Sequence, residues 1–119
     1  MRTGPLTCEV IRLPEPIKID GNWDKTSWKR IKPLVVSQHM GDEPDHCPLV
    51  QAKLAYDDDA LIIIFRVEDC YVRAVAENNQ DAVYRDSCVE FFFTPGSRLG
   101  HSYFNIEINC GGTMLFWWH

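Results

Sequence analysis

Alternation of apolar and polar side chains is the feature that most constrains the fold of this chain. Between Tyr103 and Asn109, polar or hydroxylated residues occupy the odd positions, and Phe104, Ile106 and Ile108 occupy the even ones. Successive side chains of a β-strand point to opposite faces of a sheet, so this pattern predicts a strand with one apolar face. The same reasoning predicts strands at 50–56, 60–68, 88–93, 103–109 and 113–118. These short strands and their turns favour an all-β, mainly antiparallel β-sandwich of the immunoglobulin or jelly-roll kind.

The first part of the chain is less regular. Prolines within 13–19 suit an edge strand or an extended lead-in, because proline cannot donate a ladder hydrogen bond. Asp24 is a favourable N-cap, and it predicts one short helix from Asp24 to Ile31 that Pro33 ends. A short strand is predicted at 34–37, and a helical turn at 72–77.

Size and charge exclude several classes of protein. The 119 residues, 45% of them hydrophobic, suit one domain spanning 1–119. No apolar run approaches the ~20 residues that cross a bilayer, so no membrane partner is predicted. The net charge is −5 and the basic residues are scattered, which argues against nucleic-acid binding. The N-terminus lacks the apolar segment of a signal peptide, and no localisation is assigned.

The cysteines are odd in number, so at least one thiol is unpaired in a monomer. They are Cys8, Cys47, Cys70, Cys88 and Cys110. Their spacing shows no regular framework, and we predict free thiols.

Strands in compatible register would collect polar side chains on one face of a sheet. These side chains are Gln51, Lys53, Arg66, Glu68, Glu90, Asn105, Glu107 and Asn109. The opposite face is expected to bury Leu54, Tyr56, Ile63, Phe65, Phe91, Ile106 and Ile108. An ordinary solvated face explains the polar set. However, its Asn, Glu and Arg side chains also supply the mixed donors and acceptors that bind sugar hydroxyls.

Aromatic residues near the predicted sheet add to this second interpretation, because sugars stack their C–H faces on aromatic rings. The candidates are Tyr84, Trp117 and Trp118. Alternation sends Trp117 and Trp118 to opposite faces, so at most one of them faces a sugar groove. Core packing is the alternative role for the other.

A series of sequence blocks runs in order across about residues 15–115. The blocks are Ile19 to Asp24 with Trp28, Ala52 to Asp57 with Ala60 to Ile62, Val67 to Asp69, Tyr84 to Phe92, and Tyr103 to Asn109 with Gly112. The series resembles the carbohydrate-binding module family 9 and its relatives in the broader DOMON-like sandwich group. The resemblance implies non-catalytic binding of a sugar terminus between aromatic rings. It also implies frequent structural calcium and frequent attachment to secreted enzymes.

The resemblance and the polar face together define the predicted ligand site. By motif, the stacking aromatic falls on Tyr84, where the family typically has Trp, and the polar positions fall on Glu90 and Asn105. The complete predicted set is Tyr84, Glu90, Asn105, Glu107, Asn109, Arg66 and Trp117. No cofactor is required. A structural calcium ion is compatible with the acidic turn 57–59 and with Asp69 and Asp86.

Two other classes of function stay open beside saccharide binding. Glu90 and Glu107 are paired carboxylates of the kind that glycosidases use, but nothing in the sequence separates their environments, and we predict no enzyme. A protein-interaction sandwich is the third class. The adjacent His46 and Cys47 lack an oxyanion motif and match no zinc spacing, so a nucleophile or metal site is set aside there.

Modules of the resembled family continue beyond the length of this chain. The chain is therefore expected to correspond to the N-terminal part of such a module. An incomplete sandwich leaves apolar side chains uncovered, which predicts self-association as a homodimer or larger species.

Overall fold

The computed structural model describes residues 7–97, 100 and 102–119. The chain divides into two compact units, Met1–Glu68 and Asp69–His119. The elements are β1 (Ile11–Arg12), α1 (Thr26–Lys29), β2 (Leu34–Val35), β3 (Leu49–Tyr56), β4 (Leu61–Glu68), a 3₁₀-helix (Val83–Arg85), β5 (Cys88–Phe93), β6 (Phe104–Asn109) and β7 (Met114–Trp118). Strands in two sheets dominate, which confirms the all-β class. Among the described residues, no helix is long and apolar enough to cross a membrane.

The sheet of the first unit is organised around the β3–β4 hairpin. These strands pair antiparallel along their full lengths, from Leu49 opposite Glu68 to Tyr56 opposite Leu61. β1 pairs parallel with the end of β3, and β2 pairs antiparallel near its beginning. Because β4 occupies one edge of β3 completely, β1 and β2 share the other edge. The predicted lead-in 13–19 is not a strand, and the strand β1 lies just before it.

The predicted helix exists, but it is shorter and begins later than expected. Lys25, not Asp24, is the N-cap residue of α1. The reason is local: the Asn22 side-chain oxygen accepts the Asp24 N–H at 3.1 Å, which holds Asp24 in a turn before the helix. α1 ends at Lys29, ahead of Pro33.

The core of the first unit lies on the face of the hairpin that we expected to be polar. Its buried residues are Leu13, Trp28, Ala55, Ile62 and Ile64. The prediction that Leu54, Tyr56, Ile63 and Phe65 would be buried is wrong, since three are half-buried and Tyr56 is exposed. The lead-in and α1 supply Leu13 and Trp28 as cover, and alternation within the strands cannot show which face receives that cover.

Lys53 shows how a cation is accommodated beside this core. Its Nζ donates a hydrogen bond of 2.9 Å to the carbonyl oxygen of Trp28. The same nitrogen lies 4.5 Å from the centroid of the Trp23 ring, which is a cation–π distance. Lys53 is therefore a buried structural residue and not part of a solvated face.

The sheet of the second unit is antiparallel, in the order β5-β6-β7. Gly112 forms the bend between β6 and β7 with a φ of 89°, a conformation that favours glycine. The helical turn predicted at 72–77 is absent from these described residues. Their N–H groups bind elsewhere, because Arg73 donates to Ser87 Oγ and Ala76 donates to Asp86 Oδ2.

Residues Asn79 and Gln80 bind the outer edge of β7. Gln80 N–H donates to the Met114 carbonyl at 2.9 Å, and Met114 N–H donates to Asn79 Oδ1 at 3.1 Å. The Gln80 side-chain amide then accepts from Phe116 N–H at 2.8 Å and donates to the Phe116 carbonyl at 3.1 Å. We call this set of four hydrogen bonds the Gln80 clamp.

One face of the second sheet carries a row of stacked aromatic rings. Phe91, Phe93, Phe104 and Phe116 follow one another with centroids 5.6, 5.3 and 5.5 Å apart. This face was predicted to be buried, but Phe91 and Ile106 are half-buried and Ile108 is exposed. The burial prediction is therefore wrong here as well. All five cysteines have free thiols.

Candidate functional site

The strand register brings part of the predicted ligand set together on one face of the second sheet. Glu90 on β5 is directly opposite Glu107 on β6, and Asn105 is directly opposite Trp117 on β7. Opposed residues project to the same face, and Asn105 and Glu107 are two positions apart on one strand. Glu90, Asn105, Glu107 and Trp117 thus share what we call the polar face.

The polar face is more buried than a solvated face should be. Asn105 is 5% exposed and Glu107 is 7% exposed, although Glu90 is exposed. The expectation of an ordinary wet side is therefore wrong for β6. β6 is the central strand, so the side chains of β5 and β7 flank its polar residues on both sides.

Hydrogen bonding within this cluster is incomplete. Asn105 Nδ2 donates to Glu107 Oε1 at 3.0 Å, and Glu90 lies directly opposite Glu107 on the neighbouring strand. Asn105 Oδ1 and Glu107 Oε2 are buried and have no hydrogen-bond partner within the chain. An unsatisfied buried acceptor costs about 1–3 kcal/mol, so such atoms in a native protein require an explanation.

Glu90, one member of the carboxyl pair Glu90 and Glu107, has a raised pKa. Desolvation raises the pKa of Glu90 above its usual value, and its interactions with Glu107 raise it further. Burial also raises the pKa of the Cys88 thiol, and the charges of Glu90, Glu107 and Asp86 add to that shift.

Exposed aromatic side chains border the carboxyl pair on the same face. Trp117 is 51% exposed, and its ring centroid lies 6.4 Å from that of His119. His119 stacks on Tyr103 at 4.7 Å, and Tyr103 lies 6.0 Å from Phe92. We call Phe92, Tyr103, Trp117 and His119 the aromatic rim. Sequence reasoning missed Phe92, Tyr103 and His119. Each of them is two positions from a predicted site residue, and this spacing was a usable signal that they share its face.

Asn109, the last polar residue of β6, has a role within the fold. Its Nδ2 donates to the Ala76 carbonyl and to Asp86 Oδ2, and its Oδ1 accepts from the N–H groups of Gly111 and Thr113. An asparagine amide has two donor and two acceptor positions, so all four are used. Asn109 therefore stabilises the fold, and its predicted part in ligand binding stays a prediction.

Asp86, one of the partners of Asn109, accepts hydrogen bonds from several groups around it. Its carboxylate accepts from the N–H groups of Val75 and Ala76, from Asn109 Nδ2, and from Arg73 Nε at 3.3 Å. The Ala76 N–H is the largest cause that lowers the pKa of Asp86 to about 2, against an opposing effect of burial. We call Asp86, Asn109 and their donors the Asp86–Asn109 knot.

The remaining predicted site residues stay predictions. Tyr84 is exposed on the 3₁₀-helix, with the Arg85 guanidinium 6.0 Å from its ring centroid. Arg66 belongs to the first unit and pairs with Glu68 at 3.3 Å. Trp118 lies opposite Phe104, so it projects away from the polar face, as alternation predicts.

Most of the carboxylates suggested for calcium accept hydrogen bonds or pair with a cation. Asp57 Oδ1 accepts from the N–H groups of Asp59 and Ala60, and Asp58 pairs with Arg12. Asp86 is held in the knot, and Asp69 Oδ1 accepts from the Tyr71 N–H at 2.9 Å. Asp69 also lies beside His46 and Cys70, with possible ligand atoms within 4.8 Å of one another. Calcium dependence stays a prediction.

Residues 21–118 match the model of carbohydrate-binding family 9, and the chain belongs to that family. This confirms the resemblance seen in the sequence.

One solved structure shares the fold. It is a candidate carbohydrate-binding protein from Bacteroides uniformis, with 24% identity and a TM-score of 0.77 over 92% of this chain. The match covers 50% of that protein, so the present chain spans half of its length. No curated protein matches the chain.

Proposed function

We propose that the polar face binds a saccharide without changing it chemically. One observation carries the proposal: Asn105 Oδ1 and Glu107 Oε2 are buried acceptors without partners, and they lie on the same face as the exposed aromatic rim. Membership of a carbohydrate-binding family supports the same reading.

Sugar chemistry matches these two features. Two neighbouring hydroxyls of a pyranose would donate to Asn105 Oδ1 and Glu107 Oε2 and so satisfy both acceptors. The C–H face of the ring would stack on Trp117, whose side chain is half open to solvent. The unpartnered atoms and the exposed ring thus receive partners from one ligand.

Access to the acceptors requires neighbouring side chains to move. Both unpartnered oxygens are out of solvent contact, and Glu90, directly opposite Glu107, is an exposed residue. Exposed side chains change rotamer on the picosecond to nanosecond timescale. We expect such movement to open the acceptors to a ligand hydroxyl.

Membership of a carbohydrate-binding family supports binding over hydrolysis at the carboxyl pair. We expect no turnover of any glycoside, and hydrolysis that disappears in Glu90→Gln would contradict this.

The two neighbouring tryptophans provide a matched test. A glycan array with and without calcium identifies a saccharide, and isothermal titration calorimetry then measures its Kd for Trp117→Ala and Trp118→Ala. We expect Trp117→Ala to weaken binding about tenfold or more, which corresponds to about 1.4 kcal/mol, because the stacking surface is lost. Trp118→Ala is the control, since Trp118 projects to the other face. Equal losses in the two variants would refute the assignment of the polar face.

A further inference from the structure

We infer that this site selects saccharides by charge: it accepts neutral and amino sugars, which bring hydrogen-bond donors, and it rejects uronic acids. The inference rests on the proposed function, because it specifies which saccharides the polar face takes. Its evidence is the hydrogen-bonding polarity and the charge of the residues around the two unpartnered oxygens.

The hydrogen-bonding polarity is one-sided at the two unpartnered atoms. Both of these atoms, Asn105 Oδ1 and Glu107 Oε2, are acceptors. Asn105 Nδ2, the neighbouring donor, already binds Glu107 Oε1 at 3.0 Å. A ligand group must therefore donate to satisfy these two atoms. Hydroxyl and ammonium groups donate, whereas a carboxylate only accepts.

The charge of the site acts in the same direction. Glu90 and Glu107 lie directly opposite each other, so two acidic groups face any ligand at this site. The Cys88 thiol, which shares this face, responds to the charges of Glu90 and Glu107. The described arginines of this unit are engaged elsewhere, because Arg73 pairs with Asp86 and Arg85 lies over the Tyr84 ring.

A ligand carboxylate would thus meet two penalties at once. It would stand beside a like charge, and it would leave both buried acceptors without donors. An ammonium group meets the reverse situation, since it carries three donors and a positive charge. Each unfavourable contact of this kind typically changes an affinity by about tenfold or more.

The wild-type protein tests the inference with sugars that differ in a single group. Calorimetry with glucose, glucosamine and glucuronate at equal low ionic strength gives three dissociation constants. We expect glucosamine to bind at least as tightly as glucose, and glucuronate to bind about tenfold more weakly or worse. The difference between glucose and glucuronate should shrink as salt is added, because salt screens charge.

Variants locate the source of the selectivity. In Glu90→Gln/Glu107→Gln the negative charge is removed, and the ratio of glucose to glucuronate affinity should fall towards one. Glu77→Gln is the matched control, because Glu77 is an exposed loop residue of the same unit, and it should keep the wild-type ratio. Circular dichroism verifies that each variant is folded. The wild-type series decides the question even if the double variant does not fold.

The outcomes separate this inference from the proposed function. Equal affinity of the wild type for glucose and glucuronate, or a ratio that persists in the double variant, overturns the charge selection alone. Failure of every saccharide to bind overturns the proposed function and the inference with it.

Discussion

Two asparagines of β6 lie beside carboxyl groups, Asn109 in the Asp86–Asn109 knot and Asn105 next to the carboxyl pair, with opposite results. In the knot, Asn109 has all four hydrogen-bonding positions filled, and the pKa of Asp86 is lowered to about 2. At the carboxyl pair, Glu107 and the neighbouring Asn105 each keep an unpartnered oxygen, and the pKa of Glu90 is raised. Four positions of β6 separate the two asparagines.

The difference lies in what surrounds each carboxylate. Backbone N–H groups of Val75 and Ala76 point at Asp86 and stabilise its charge. Glu107 faces another carboxyl instead, and the charged form of Glu90 is disfavoured. A polar group that the chain itself satisfies serves the fold, whereas one that the chain leaves unsatisfied is available to a ligand.

Replacement of the two asparagines should give the largest contrast. Asn109→Ala leaves several buried donors and acceptors of the knot without partners, so we expect the free energy of unfolding to fall by about 3 kcal/mol. Asn105→Ala leaves one buried acceptor, Glu107 Oε1, without its donor but also removes an acceptor that was already unsatisfied, so it should cost less, about 1 kcal/mol. Urea denaturation measures both.

Ligand binding should show the reverse order for the same two variants. Asn105→Ala removes an acceptor from the proposed site and should weaken saccharide binding. Asn109→Ala, measured at a temperature where it is folded, should affect binding less. The comparison fails if Asn105→Ala is the more destabilising variant.

The second largest effect should be a loss of stability in acid, caused by protonation of Asp86 in the knot. The pKa of Asp86 falls from its ordinary 3.8 to about 2 on folding. A lowered pKa stabilises the fold above pH 3.8, and this contribution is lost as the pH falls from 3.8 through about 2. We expect thermal unfolding to show a drop in Tm across that window. In Asp86→Asn this part of the drop should be missing, and an unchanged acid profile would argue against the knot.

The carboxyl pair should give the smallest effect, with the opposite sign. Folding raises the pKa of Glu90 above its ordinary 4.5, so its contribution is complete below pH 4.5 and is lost as the pH rises through the raised value. Glu90 is exposed, so solvent screening keeps the change small. Glu90→Gln mimics the protonated form, and its Tm should decline less than that of the wild type between pH 5 and pH 8. A parallel decline in both proteins would show that folding does not raise the pKa of Glu90.

Local patterns predicted the strands well, because alternation is a property of each segment by itself. β5 agrees with its predicted bounds, and β3, β4, β6 and β7 begin within one residue of theirs. The buried faces were predicted wrongly, because burial depends on distant cover such as Leu13 and Trp28. No pattern within a strand reports where that cover packs.

The sequence predicted the part of the site that depends on which side chains of a strand share a face. Glu90, Asn105, Glu107 and Trp117 share a face, and their parity in the sequence already indicated this. The saturation of Asn109 was not predictable, because its partners Ala76 and Asp86 come from an irregular segment and from a carboxylate outside the strands. Self-association of the chain stays a prediction.

The Gln80 clamp affects whether the edge of β7 can pair with strands of other molecules. Met114–Trp118 is an uninterrupted apolar run, the kind of segment that can template intermolecular cross-β growth when its edge is open. Gln80 occupies both the donor and the acceptor of Phe116 with a side-chain amide. Because the partner of Phe116 is a side chain and not a strand, no further strand can pair with β7 at this position. β7 can therefore carry Trp117 at the edge of the sheet without offering that edge for fibril growth.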